Sequence, residues 1–501
     1  MIARRRRCAA LCLSVASIAT IATSACGGEA ATMPVTTPPT ATPATPVTST
    51  EAIAVLSPNA AQAAMVGVPF RYDASKGGTV FSDPRRTGLS YTLTFGGIGN
   101  GLVASGSEIT GVPAAAGVQT VTVTARDTTG RTASQQFPIV VFGADLTTPT
   151  LPVALAPYSD ARRPLPRHWS QNAAGGAGSP VGADNTPAGN AITDAGATLG
   201  RVLFYDRRLS ANDRVSCASC HQQAFAFSDT ARLSRGFEGG LTGRHSMGLA
   251  NARYYVGGRF FWDERAATLE QQVLQPIQDM TEMGLTLDQL RAKLSLTPYY
   301  PALFEAAFGS RDMTTERVAL ALAQFVRSLV STDSKFDRAF SPAGIPDFTR
   351  TFTAQELLGQ QLYNGRAGCA RCHGTNAHIS DAAHNTGLDA TLTDVGAGNG
   401  RFKAPSLRNV EVRAPYMHDG RFRTLEEVVD FYDRGVQNNP GLDPRLRVPP
   451  GGPGPGPGGP QGQPLRLNLT LDERQALVAF MKTFTDATFL ADPRFADPFA
   501  R

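Results

Sequence analysis

Cys217-Ala218-Ser219-Cys220-His221 and Cys369-Ala370-Arg371-Cys372-His373 are two copies of one pattern, Cys-x-x-Cys-His. Two thiols three positions apart can form thioethers to the vinyl groups of a haem, and the imidazole that follows can then bind the iron from one face. The same spacing could serve a thioredoxin-type redox pair or half of a zinc site. Two copies, each ending in histidine, favour covalent haem. The chain has seven cysteines, and Cys8, Cys12 and Cys26 fall in its first 26 residues. The other four are the motif cysteines, so no thiol of the folded body is left for a disulfide or a structural zinc.

The N-terminus reads as an export signal over 1–25, with Arg4 to Arg7 ahead of a modestly apolar stretch from Cys8 to Ala25. Cys26, preceded by Thr23-Ser24-Ala25 and followed by Gly27-Gly28, has the setting of a lipidated cysteine, although Thr23 stands where such signals usually carry leucine. Cleavage to a soluble periplasmic protein and an uncleaved anchor are the other outcomes. All three place the body outside the cytoplasm, in the periplasm or anchored at a membrane surface. Four of the arginines behind the formal charge of +5 lie in the signal, so the body carries +1. That balance offers nothing to nucleic acid, and membrane contact is expected only through a lipid anchor.

The chain divides by texture. Residues 26–51 are the candidate lipid-anchor cysteine and a Pro/Thr linker with no apolar period. From 52 to 143, short alternating runs dominate. The clearest, Val118 to Ala125, leads through Asp127-Thr128-Thr129-Gly130 to a second run ending Phe137-Pro138-Ile139-Val140-Val141, which predicts a β-hairpin. With Tyr91 to Phe95 and Ile109 to Pro113 upstream, this segment resembles the Ig/cadherin-like β-sandwiches of bacterial surface proteins, as a spacer or docking module. Residues 144–184 are expected to be a linker. Beyond 185 the chain reads as mainly α, with capping-box pairs at Thr268/Gln271, Thr286/Gln289, Thr353/Glu356, Thr424/Glu427 and Thr470/Glu473.

An internal repeat organises this helical part. Leu199-Gly200-x-x-Leu203-Phe204 precedes the first haem motif and Leu358-Gly359-x-x-Leu362-Tyr363 the second. Downstream, Asp263-x-Arg265-x-x-Thr268-Leu269-Glu270-x-x-Val273 recurs as Asp419-x-Arg421-x-x-Thr424-Leu425-Glu426-x-x-Val429. The body is therefore expected to be a tandem of cytochrome c units, 185–345 and 346–490, with a Gly/Pro loop at 449–464 and a tail at 491–501. The first unit has Trp262 before its Asp where the second has His418.

From Leu199 to Thr485 the chain resembles the bacterial di-haem cytochrome c peroxidases and their MauG-like relatives. The resemblance runs through Leu209-Ser210, Ser216 to His221, Phe261-Trp262-Asp263, Gln272 with Pro276-Ile277, Glu282-Met283-Gly284, Ala404 to Asn409, Pro415 to Gly420 and Thr424 to Glu427. It implies two covalent haem c groups, with His221 and His373 as iron ligands, and reduction of H₂O₂ at the first haem. Gln272 and Glu282 match the family's distal pair, and Trp262 matches a tryptophan that relays oxidising equivalents between the haems. A large apolar filler at the seam is the alternative for Trp262. The implied reductant is a small cytochrome c or cupredoxin, or a protein substrate whose side chain is oxidised. A non-catalytic di-haem electron-transfer cytochrome is the competing reading.

Two departures bear on the subtype. Family peroxidases of the reductively activated kind carry a second histidine about sixteen residues after the first haem motif, and here that position is Phe237. Phenylalanine cannot bind iron, so the first haem is expected to be open to peroxide unless His245 takes the place. Tyr432 stands where those peroxidases have a methionine ligand to the second haem, as in MauG-like enzymes, and Met417 is the alternative ligand. The family also binds calcium at the seam through an Asn that aligns with His245. Imidazole suits Ca²⁺ poorly, so calcium is doubtful.

Overall fold

The computed structural model describes residues 52–96, 100–172, 178–379, 382–448 and 462–499. The export signal, Cys26, the Pro/Thr linker and most of the Gly/Pro loop lie outside the described residues. No described helix is long and apolar enough to cross a membrane.

The predicted hairpin forms between strands Gly117–Asp127 and Thr132–Phe142, antiparallel, with Val121 opposite Phe137 and Val123 opposite Gln135. Period-two alternation sends Val121, Val123 and Ala125 inward to zero exposure while the intervening threonines face out. Asp127 holds the turn by accepting from the backbone N–H groups of Thr129 and Arg131. The hairpin joins Leu89–Gly96 on one side and Gln62–Met65, in parallel, on the other. A three-stranded sheet of Phe70–Asp73, Glu108–Gly111 and Leu102–Ser105 supplies Ile109 and Leu102 to the same apolar core, completing a β-sandwich.

The rest is mainly helical, and its helices include α1 (Asp194–Tyr205), α2 (Thr315–Ser328), α3 (Ala354–Asn364), α4 (Leu425–Asp430) and α5 (Leu471–Lys482). The repeated Leu-Gly gives the tandem its geometry. Gly200 of α1 lies against the Ala321 carbonyl and Phe325 of α2, and Gly359 of α3 lies against the Ala476 carbonyl and Phe480 of α5. A β-carbon at either glycine would occupy the neighbouring helix backbone. Each crossing encloses its own core, Leu199, Leu203, Phe204, Leu322 and Phe325 in the first unit and Leu362, Tyr363, Leu477, Phe480 and Phe484 in the second. The repeat is inexact at its first position, because Leu199 is buried whereas Leu358 is exposed.

Reciprocal capping boxes form at Thr286, Thr353, Thr424 and Thr470. At Thr268 the expected box is one-sided. Thr268 accepts from the Gln271 N–H, but the Gln271 side chain accepts from the Ala267 N–H, one residue earlier than reciprocity needs.

Two segments expected to be loose are built into the body. Along 144–184, Tyr158 and Trp169 are buried, His168 bonds Asp337 through Nε2 at 2.8 Å, and the His168 carbonyl accepts from Asn376. In the expected tail, Phe495 joins the core of the first unit, and its carbonyl accepts from the Tyr205 hydroxyl at 2.7 Å. Isolated aromatics that anchor an irregular strap leave no period to read.

Candidate active site

The second Cys-x-x-Cys-His opens onto a large apolar cavity. Cys369, Cys372 and His373 line one side, and Leu425, Val429, Leu467, Leu477 and Met481 from α4, α5 and the irregular segment before α5 line part of the remainder. α4 runs directly into a single π-helical turn, Phe431–Gly435, which contains Tyr432. Such turns widen a helix locally and recur at functional sites. Tyr432 faces the cavity, and burial pushes its phenol well above the ordinary value, holding it protonated in the absence of a cation. Met417 lines the same cavity and packs in the same small cluster as Tyr432, Phe422, Phe431 and Leu446. It is held there by a left-handed backbone, φ +73°, that a non-glycine side chain seldom adopts. The fold thus brings both candidate ligands to one cavity.

Trp262 lies at the seam between the two units. Its indole Nε1 donates to the His245 carbonyl at 2.7 Å, its own carbonyl accepts from the Lys403 N–H, and its ring meets His418 edge-on at 6.4 Å. His418 stacks on Phe402 at 3.6 Å, and Arg244 ties the two units by bonding Asp263 of the first and Asp394 of the second. The His245 ring is taken up by the protein: Nδ1 lies 3.1 Å from the Ala231 carbonyl and Nε2 lies 3.3 Å from Ser228 Oγ.

Around the first motif, Ser216 caps the short helix Cys217–Cys220 in a reciprocal box with Ser219. The His221 Nδ1 lies 2.9 Å from the Phe227 carbonyl, which fixes the tautomer and leaves Nε2 as the nitrogen for a metal. Glu282 sits on the turn after the short helices Leu269–Gln272 and Gln275–Gln278. Its carboxyl is near enough for its charge to help raise the pKa of both Cys217 and Cys220. Burial first and the Asp279 carboxylate second raise its pKa, while Arg265 partly opposes them. Phe237 pins this turn: its N–H donates to the Glu282 carbonyl at 2.9 Å and its ring covers Gly284. Gln272 ends its one-turn helix, half-buried, on the same arm.

The residues fit two covalent haems. None of the four motif cysteines is in a disulfide, each motif histidine has Nδ1 directed to a backbone carbonyl, and the second cavity is apolar with a buried guanidinium nitrogen of Arg413 left without a partner. Sequence reasoning missed Arg413, Arg244, Lys403 and His384. His384 also lines the cavity, with Nδ1 bonded to Asp443 at 2.6 Å. Each is a lone polar residue outside any motif, and its role comes from neighbours that the fold brings to it.

The family "Di-haem cytochrome c peroxidase" matches residues 194–343, and an Ig-domain family matches residues 46–142. The chain is 34% identical to the methylamine utilization protein MauG of Methylorubrum extorquens over 308 residues, 59% of this chain and 80% of that protein. It is 32% identical to the cytochrome c551 peroxidase of Nitrosomonas europaea over 254 residues, 48% of this chain and 72% of that one. Among solved structures, a MauG-like protein associated with microbial copper homeostasis superposes with a TM-score of 0.53 at 31% identity, covering 63% of this chain and 97% of that chain. The chain belongs to the di-haem cytochrome c peroxidase family of oxidoreductases, and it carries an Ig-like domain on the N-terminal side of the peroxidase region.

Proposed function

We propose that this enzyme reduces H₂O₂ at a first haem that Cys217, Cys220 and His221 would hold and that Phe237, unable to bind iron, would leave accessible to peroxide, with Glu282 as the acid-base group. When bound, that haem supplies an iron at which peroxide accepts two electrons; with two protons this yields two waters. Glu282 takes the proton from the inner peroxide oxygen and returns it to the departing one. A raised pKa suits a group that must both accept and donate. Gln272 helps to orient the oxygen. The observation that carries this reading is the pairing of Phe237 with Glu282. The position that would hold a capping histidine instead braces the turn bearing the acid-base carboxyl.

Cys369, Cys372 and His373 would hold the second haem, and Tyr432, in preference to Met417, would be the further residue to bind its iron, as in a MauG-like enzyme. Trp262, between the cavity and the first unit, relays oxidising equivalents. The electrons come from a small cytochrome c or cupredoxin, or from an oxidisable side chain of a partner protein. Calcium has no part in this reading: the His245 ring is engaged by Ser228 and the 231–232 carbonyls. The body works outside the cytoplasm, tethered through Cys26.

Glu282→Gln tests the central claim. The variant should keep both haems and the resting spectrum, yet react with peroxide at least ~10²-fold more slowly in stopped flow. An unchanged rate would leave Glu282 as a buried carboxyl without a catalytic part.

A further inference from the structure

Arg413 is a large buried cation without the ion pair that others in the body make. Arg408, Arg253 and Arg327 each meet a carboxylate, Asp337, Asp160 with Asp184, and Glu270 respectively. Arg413 is only 6% exposed, yet it makes no ion pair among the described residues, and the neighbour that bears on its charge, the Tyr416 phenol, is itself pushed up to about 12 and so protonated near neutrality. One guanidinium nitrogen donates to the Ser406 carbonyl at 2.6 Å, and Nε has no partner. Burial lowers the pKa to about 10, which still leaves the group charged at neutral pH.

The side chain is aimed rather than stranded. Arg413 leaves the segment after Val410–Val412, lines the cavity that also holds Cys369, Cys372 and His373, and its charge reaches His373. It crosses to the first unit at Gly248, where a β-carbon would stand 2.6 Å from Nη1 and 2.8 Å from Cδ. The glycine is a gap kept open for the guanidinium. A buried cation without an anion is strongly disfavoured, so the missing anion belongs in the cavity. Haem carries two carboxylates of its own, and Arg presents a planar fork suited to them.

We propose that Arg413 binds a propionate carboxylate of the second haem and holds that edge of the cofactor at the seam beside Trp262. The inference rests on the assignment of the second haem to Cys369, Cys372 and His373, which a pyridine haemochrome count tests separately. A wild-type protein with one haem per chain, or a Cys369→Ala/Cys372→Ala variant that keeps two, would remove that assignment and this proposal with it.

With two haems present, the readout is the midpoint potential of each, resolved by spectroelectrochemical titration of the holoprotein. Arg413→Gln removes a fixed positive charge from the second haem's edge. Its midpoint should shift negative while that of the first haem stays, and Arg413→Lys should recover most of the shift. An unchanged second potential in a fully loaded Arg413→Gln protein, or a shift confined to the first haem, overturns the proposal. Should Arg413→Gln fail to fold, Gly248→Ala keeps the charge but displaces it. That variant should give a smaller negative shift of the second haem alone, and no shift would overturn the assignment.

Discussion

Tyr432 and Met417 reach the same cavity from different elements, and the backbone of each is unusual: a π-helical turn for one and a left-handed residue for the other. A buried phenol ionises only beside a cation, which ferric iron would be. A thioether carries no charge and favours ferrous iron. Tyr432→Phe should therefore remove the phenolate contribution from the ferric spectrum of the second haem while the first still reacts with peroxide. Tyr432→Met should raise the second haem's potential. Wild-type spectra and potentials in both variants would make Met417 the ligand. Glu282 gives a second test at this scale. Because burial and Asp279 raise its pKa, the carboxylate is lost as pH falls through a value above the ordinary ~4.3 for Glu. The peroxide rate should fall along that acid limb, and in Glu282→Gln the limb should vanish from the residual rate.

At the scale of elements, the glycines at the two helix crossings set opposing effects against each other. Gly359→Ala should help α3 by ~1 kcal/mol through helix propensity. It also places a methyl in the Ala476 carbonyl, and overpacking of this kind typically costs ~1–3 kcal/mol. With backbone rather than a flexible side chain in the way, the clash should win, so Gly359→Ala and Gly200→Ala should each lower the denaturation midpoint of the holoprotein. Stabilisation in either would show that the crossing is not tight. These helices were legible because Leu-Gly-x-x-Leu followed by an aromatic residue recurs before each haem motif, and the hairpin because Val118 to Ala125 alternates. The cations of the seam were not legible. Arg413, Arg244 and Lys403 stand in no periodic pattern, and their meaning comes from a neighbour distant in sequence.

Across the whole molecule, the sandwich is mounted on the first cytochrome unit by a buried pair. Lys293 Nζ lies 2.6 Å from Asp213 Oδ1 and 2.6 Å from the Ser210 carbonyl, while Asp213 Oδ2 accepts from the Gly143 N–H at the end of the sandwich. Both side chains are essentially without exposure. Burial raises the Asp213 pKa and lowers that of Lys293, each opposed by the other's charge. An uncompensated buried ion is more costly than a paired one, so Asp213→Ala should destabilise the body by ~3–5 kcal/mol. Replacing both residues with apolar side chains of similar volume should recover most of that loss, because the remaining charge goes with its partner. The Gly143 N–H would lose its acceptor in either case. The sandwich should therefore come away at 143–150 sooner in limited proteolysis, even when the double variant has regained thermal stability. Equal protease resistance in wild type and both variants would mean that the contacts of Arg207 with Asp145 and of Arg208 with the Thr147 carbonyl hold the mount without the buried pair.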